Sequence, residues 1–278
     1  MRFVAGLLWI LAFTAQPALA EAPPRLKTLE QQLASLEFTT RGDVGIAALD
    51  LATGELVSVH GDDPFPMAST VKIAIAANYL AQVEHGRRSL DHLIRGRPAR
   101  QLLEAMLIHS DNVATDMVLR DLGGPKTVQN WFTQQGIADL RIDRTIAQLL
   151  SARRDLHDTR DSSTPRAMVD LLRRLDSGQL LSASSRSYLL GLMSRCATGK
   201  NRIRGFLPAG VKVENKTGTL SGLTSDVGFL TLPDGRRIAV ALFARAGTNR
   251  AEAIARAARA IYDGFSITRF ASYGGSQQ

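Results

Sequence analysis

Two apolar stretches near the N-terminus, 44–51 and 56–60, flank Ala52-Thr53-Gly54-Glu55 and predict a β-hairpin. Three further strand-like runs stand near the C-terminus, 211–216, 225–232 and 236–246, with Pro233-Asp234-Gly235 as the turn between the last two. Between these ends the apolar positions recur at helical spacing. The segment after Ser69 carries Ile73, Ile75, Ala76 and Leu80, and a second helix falls around 99–108. A third starts near Asn112 and stops at Gly123-Gly124, and Pro125 opens a fourth that ends near Gly136. Thr164-Pro165 supplies a cap and a first-turn proline for another, and 183–193 and 249–262 complete the set, with Asn249 in a capping position. Strands at both ends and helices between them predict an α/β (α+β) protein. Its antiparallel five-stranded sheet is assembled from both chain ends and flanked by helices, beside an all-helical lobe. The sheet lobe is expected from about 21–66 and 207–278, the helical lobe from about 67–206, and the cleft at their junction.

The first twenty residues do not fit this pattern. Arg2 precedes an apolar run over 3–15, and Ala18-Leu19-Ala20 stands before Glu21 as a small-residue cleavage site. These are the parts of a signal peptide, 1–20, and the run is too short for a mature spanning helix. The expected destination is the periplasm or the medium, as a released monomer with no stable membrane anchor.

Composition removes several function classes. Of 278 residues, 45% are hydrophobic and 22% charged, as in ordinary globular chains, and the net charge is +8. The arginines are scattered without a basic block, so no nucleic-acid partner is expected. Cys196 is the single cysteine, which rules out an intrachain disulfide. His60, His85, His92, His109 and His157 show no ligand spacing, so neither metal nor cofactor is expected.

Three short motifs carry the chemistry. Ser69-Thr70-Val71-Lys72 puts a hydroxyl and an amine at i and i+3 on one helical face, where a neutral lysine can activate a serine. In Ser110-Asp111-Asn112, Ser110 can relay a proton to a leaving nitrogen, Asn112 can grip a substrate amide, and Asp111 braces the turn. Lys216-Thr217-Gly218 lies on a strand, where Lys216 and Thr217 can bind a carboxylate and Gly218 lets a substrate approach the backbone. The next amide, from Thr219, can pair with that of Ser69 as an oxyanion hole.

With these motifs in this order, the chain resembles the class A β-lactamase family, and the likeness covers most of the mature protein. It extends to Leu122-Gly123-Gly124-Pro125-Lys126, Arg141-Ile142-Asp143-Arg144, Thr164-Pro165-Arg166-Ala167-Met168 and Leu207-Pro208-Ala209-Gly210. The resemblance implies a β-lactamase/transpeptidase-like fold, with Ser69 as nucleophile, Lys72 as its base and Ser110 as proton shuttle. It further implies Asn112, Lys216, Thr217, Gly218 and Thr219 as substrate-binding residues. Arg202 falls where some members place a carboxylate-steadying arginine; the alternative is a surface arginine.

One part of the family pattern is missing. The stretch after Arg144 in such enzymes carries a glutamate and an asparagine that hold the deacylating water, and here those positions are Ile146 and Leu150. Asp155 and Asp158 lie in the same loop, and Asp161 can pair with Arg144 to close it. The span from Ser69 to Ser110 is also shorter than in the family, which implies a trimmed cleft wall. Three readings follow. The first is a serine hydrolase acylated at Ser69 by β-lactams, with slow release. The second is a penicillin-binding, D-Ala-D-Ala carboxypeptidase-like enzyme acting on cell-wall peptides. The third is a protein that binds β-lactams without turnover.

Overall fold

The computed structural model of the chain describes residues 26–153 and 155–267, so the expected export segment 1–20 lies outside the described residues. Two short helices, α1 (Lys27–Ala34) and α2 (Leu36–Thr40), precede the first strand, and the sequence pattern did not single them out. The hairpin follows as β1 (Asp43–Asp50) and β2 (Leu56–Val59). After a two-residue strand β3 (Phe65–Pro66) comes α3 (Val71–Glu84), a small hairpin β4 (Leu93–Ile94) and β5 (Arg97–Pro98), then α4 (Ala99–Ile108) and α5 (Asn112–Asp121). The chain continues through α6 (Pro125–Gln134), α7 (Ile146–Ser151), β6 (Ser162–Ser163), α8 (Pro165–Asp176) and α9 (Ala183–Ser194). It closes with β7 (Val213–Leu220), β8 (Leu223–Thr231), β9 (Arg237–Arg245) and α10 (Arg250–Ile267).

The main sheet has five antiparallel strands in the order β2-β1-β9-β8-β7. The first strand of the chain pairs with the last, so the sheet is assembled from both chain ends as the pattern predicted. Alternation along the strands divides the core in two. On β9, Ile238, Val240 and Leu242 face a cluster built with Leu29, Leu33, Ile254, Ile261 and Phe265 of α1 and α10. Ala239, Ala241 and Phe243 face the opposite way, into a larger cluster with α3, α4, α5, α8 and α9. α3 is the axis of that cluster. Every residue from Val71 to Ala81 is buried, so it is a central helix rather than an amphipathic surface one.

Strand β7 differs from its expected boundary. It runs on through Lys216-Thr217-Gly218 to Leu220, and only Ser221-Gly222 turns before β8, with Leu220 paired to Leu223. The glycines and serine in this stretch have the composition of a loop, but only Gly222 adopts a positive φ there, at 81°. Lys216 thus sits in mid-strand, on the edge strand of the sheet.

Candidate active site

Ser69 is the middle residue of a 3-10 turn, Ala68–Thr70, that feeds directly into α3. Ala68 is held at φ 50°, a left-handed conformation that non-glycine residues adopt at a cost and that concentrates at functional sites. The turn is clamped from two sides. On one side Met67 N–H donates to the Asp161 carbonyl at 2.9 Å, and β3 pairs with β6 immediately before it. On the other side lies β7: a Cβ added at Gly218 would stand 2.7 Å from the Met67 carbonyl oxygen. Gly218 is therefore demanded by the approach of β7 to the turn that carries Ser69.

Lys72, one helical turn on, is fully buried. Its ammonium donates to the Ser110 carbonyl at 2.7 Å, to Asn112 Oδ1 at 2.8 Å and to Ser110 Oγ at 3.2 Å. Burial, then repulsion by Lys216, draw its pKa down to about 7, against the pull of Asp111 and Asp116. Asp111 caps α5, its Oδ1 accepting the Ala114 amide at 2.6 Å, which is the bracing role the sequence assigned it. Ser110 beside it is held at φ 60°.

From the opposite wall, Lys216 Nζ donates to the same Ser110 hydroxyl at 2.9 Å and to the Thr217 carbonyl at 2.8 Å. Ser110 Oγ therefore bridges two lysines. Burial lowers the Lys216 pKa to about 8. The hydroxyl of Thr217 is bonded to that of Thr198, a residue that no sequence signal singled out. Arg202 is half-buried, not a free surface arginine. Its Nη1 donates to the carbonyls of Gly218 (2.9 Å) and Ser225 (3.0 Å), and its Nη2 to Thr219 Oγ1 (2.7 Å). Behind it, buried Asp226 accepts from Asn215 Nδ2 at 2.8 Å and from the Ile203 amide at 3.2 Å, and desolvation pushes its pKa up to about 6.

The loop after Arg144 is closed as anticipated. Arg144 pairs with Asp161, whose Oδ1 also accepts the amides of Asp143 (2.8 Å) and Arg144 (3.0 Å). Within the loop, Thr145 and Gln148 form a reciprocal capping box at the start of α7. The carboxylate of Asp116, on α5, receives the amides of Ile146 (2.7 Å) and Ala147 (3.0 Å) and so pins α7 against α5. Ile146 is buried in the main core and Leu150 is half exposed. Asp158 is bonded to Arg160 and paired with Arg144, which holds its pKa down at about 2, and Asp155, exposed, accepts the His157 amide.

The geometry is a buried two-lysine cluster around Ser110, with Ser69 three residues before Lys72 in the constrained turn that starts α3. No group of three or more potential metal ligands occurs among the described residues. A sequence model of the beta-lactamase enzyme family matches residues 28–99 and 96–265. The carbapenem-hydrolyzing β-lactamase KPC of Klebsiella oxytoca is 31% identical over 94% of this chain and 95% of its own length. The extended-spectrum β-lactamase PER-1 of Pseudomonas aeruginosa is 28% identical over 87% of this chain and 86% of its own. Among solved structures, the class A β-lactamase of the last common ancestor of Gram-negative bacteria superposes with a TM-score of 0.81 at 34% identity, covering 86% of this chain and 99% of that one. A β-lactamase from Chitinophaga pinensis gives 0.79 at 31% identity, with the same coverage. The chain belongs to the class A β-lactamase family.

Proposed function

We propose that this protein is an exported, monomeric serine hydrolase that is acylated at Ser69 by β-lactams and releases the product slowly. The observation that carries the acylation step is the Ser110 hydroxyl bridging two buried lysines, one of them with a pKa of about 7. Neutral Lys72 takes the Ser69 proton as Oγ bonds to the lactam carbonyl carbon. The amides of Ser69 and Thr219 receive the oxyanion. As the carbon–nitrogen bond breaks, Ser110 gives its proton to the nitrogen and is resupplied from the lysine beside it. Lys216 and Thr217, with Arg202 behind them, hold the substrate carboxylate, and Asn112 its amide.

Release of the ester needs a base for water, which ordinarily contributes about 10²–10⁴-fold. Ile146 offers none, and Asp155 and Asp158 are committed to the loop's own amides and arginines. The same observation favours a second reading, a β-lactam-binding protein without turnover. Intact mass of the protein mixed with a penicillin, followed beside substrate absorbance, separates the two. We expect a mass increase of one penicillin within seconds, lost over many minutes, and no adduct in Ser69→Ala. An adduct that never decays selects the second reading. Rapid hydrolysis with no detectable adduct would falsify the missing-base argument, and an adduct that survives Ser69→Ala would place the chemistry elsewhere.

A further inference from the structure

Asn78 stands six residues beyond Lys72 on α3, roughly 9 Å further along the axis. It interrupts an apolar run of that helix: Ile73, Ile75, Ala76, Ala77, Tyr79 and Leu80 around it are all core residues. It is 1% exposed, yet neither Oδ1 nor Nδ2 has a hydrogen-bond partner among the described residues. Buried polar atoms are nearly always paired, and a carboxamide left with both an unmet donor and an unmet acceptor calls for an explanation. Asn78 lines a cavity of about 360 Å³ between α3 and α6, the size of small-molecule sites. Trp131 of α6 contributes half-buried ring surface, and Gln82, Asn130 and Gln134 contribute further amides. Arg87 stands among the lining residues, which include no carboxylate.

We propose that this cavity is a second, non-catalytic binding site for a saccharide ring presenting vicinal hydroxyls. Two adjacent hydroxyls, each both donor and acceptor, satisfy the oxygen and the nitrogen of one carboxamide together. An extended secondary amide cannot, because its N–H and C=O point in opposite directions. The apolar C–H face of the ring lies against Trp131, and the surrounding amides take the remaining hydroxyls. This assignment does not depend on the chemistry at Ser69.

The test is a titration of the purified protein with methyl α-glucoside, followed in proton–nitrogen NMR spectra, with cyclohexanol as a control that carries a single hydroxyl. The glucoside should shift the Asn78 side-chain amide and the Trp131 indole N–H saturably, with a dissociation constant of about 1–10 mM. Cyclohexanol should leave them unmoved, and Asn78→Leu should weaken glucoside binding at least tenfold. No saturation up to roughly 100 mM leaves the cavity to water alone and overturns the proposal, as does binding that survives Asn78→Leu. If that variant does not fold, the contrast between glucoside and cyclohexanol in the native protein decides, and equal shifts from both overturn the assignment.

Discussion

Two lysines share one serine hydroxyl, and in the proposed mechanism their opposite protonation states set the working range. There Lys72 is neutral to accept the Ser69 proton, so acylation should rise with pH through about 7. Lys216 must be charged to hold a carboxylate, so acylation should fall again above about 8. The two ammonium groups repel each other, so the limbs belong to the pair rather than to either residue alone. Acylation rate constants measured from pH 5 to 10 should therefore trace a narrow bell; a flat profile across 6–9 would reject the neutral-lysine mechanism. Loss of the charge-assisted contact in Lys216→Ala should cost about 1.5–3 kcal/mol, roughly ten- to a hundredfold in kcat/KM. Arg202→Ala should cost less, because its guanidinium is already committed to Gly218, Ser225 and Thr219. Substrates with and without the carboxylate check this, and an equal loss on both would remove Lys216 from carboxylate binding. At this scale the three motifs were plain in the sequence, since side-chain chemistry at fixed spacing is local. Asp116, Thr198 and the buttressing contacts of Arg202 were not, because they arise between segments far apart in the chain.

The elements near the site are held by polar groups that hydrophobic periodicity does not register. α7 is only six residues long, too short to persist alone, and its first turn depends on Thr145, Gln148 and Asp116. The Thr-x-x-Gln capping box was a readable signal for it; the Asp116 carboxylate, thirty residues earlier, was not. Asp116→Ala would strip two amides of their acceptor, one of them fully inside the core. We expect a loss of about 1–3 kcal/mol, or about 2–4 °C in Tm per kcal/mol, with faster proteolysis in the loop 144–161. An unchanged melting temperature and cleavage pattern would mean that Asp116 does not hold the loop. Strand β7 teaches the same lesson from the other direction. Thr217, Gly218, Ser221 and Gly222 together resemble a loop, and only the packing of Gly218 against the Met67 turn shows why a glycine belongs inside a strand.

Across the whole molecule, the joining of both chain ends in one antiparallel sheet was legible from the strand-like runs at the two ends, whereas the order of the strands came only from the structure. The buried charges that this assembly encloses were not legible, and their shifted pKa values predict an unusual dependence of stability on pH. Asp226, raised to about 6, holds its proton in the folded state where the unfolded chain has released it, so stability falls as pH rises from about 4 to 6. Lys72 and Lys216, lowered to about 7 and 8, bind fewer protons folded than unfolded, so their penalty is relieved as pH climbs from about 7 towards 10.5. Between about 6 and 7 all three penalties are present together, and these groups should place a shallow minimum in Tm there. Asp226→Asn removes the carboxyl whose pKa is raised and should flatten the descending limb between pH 4 and 6 while leaving the rise above 7. Lys72→Met should reduce the rise to the share that Lys216 contributes between about 8 and 10.5, and keep the descent. Melting curves of the three proteins from pH 4 to 10 make the comparison, and a descending limb that persists in Asp226→Asn would show that the buried carboxyl is not its source.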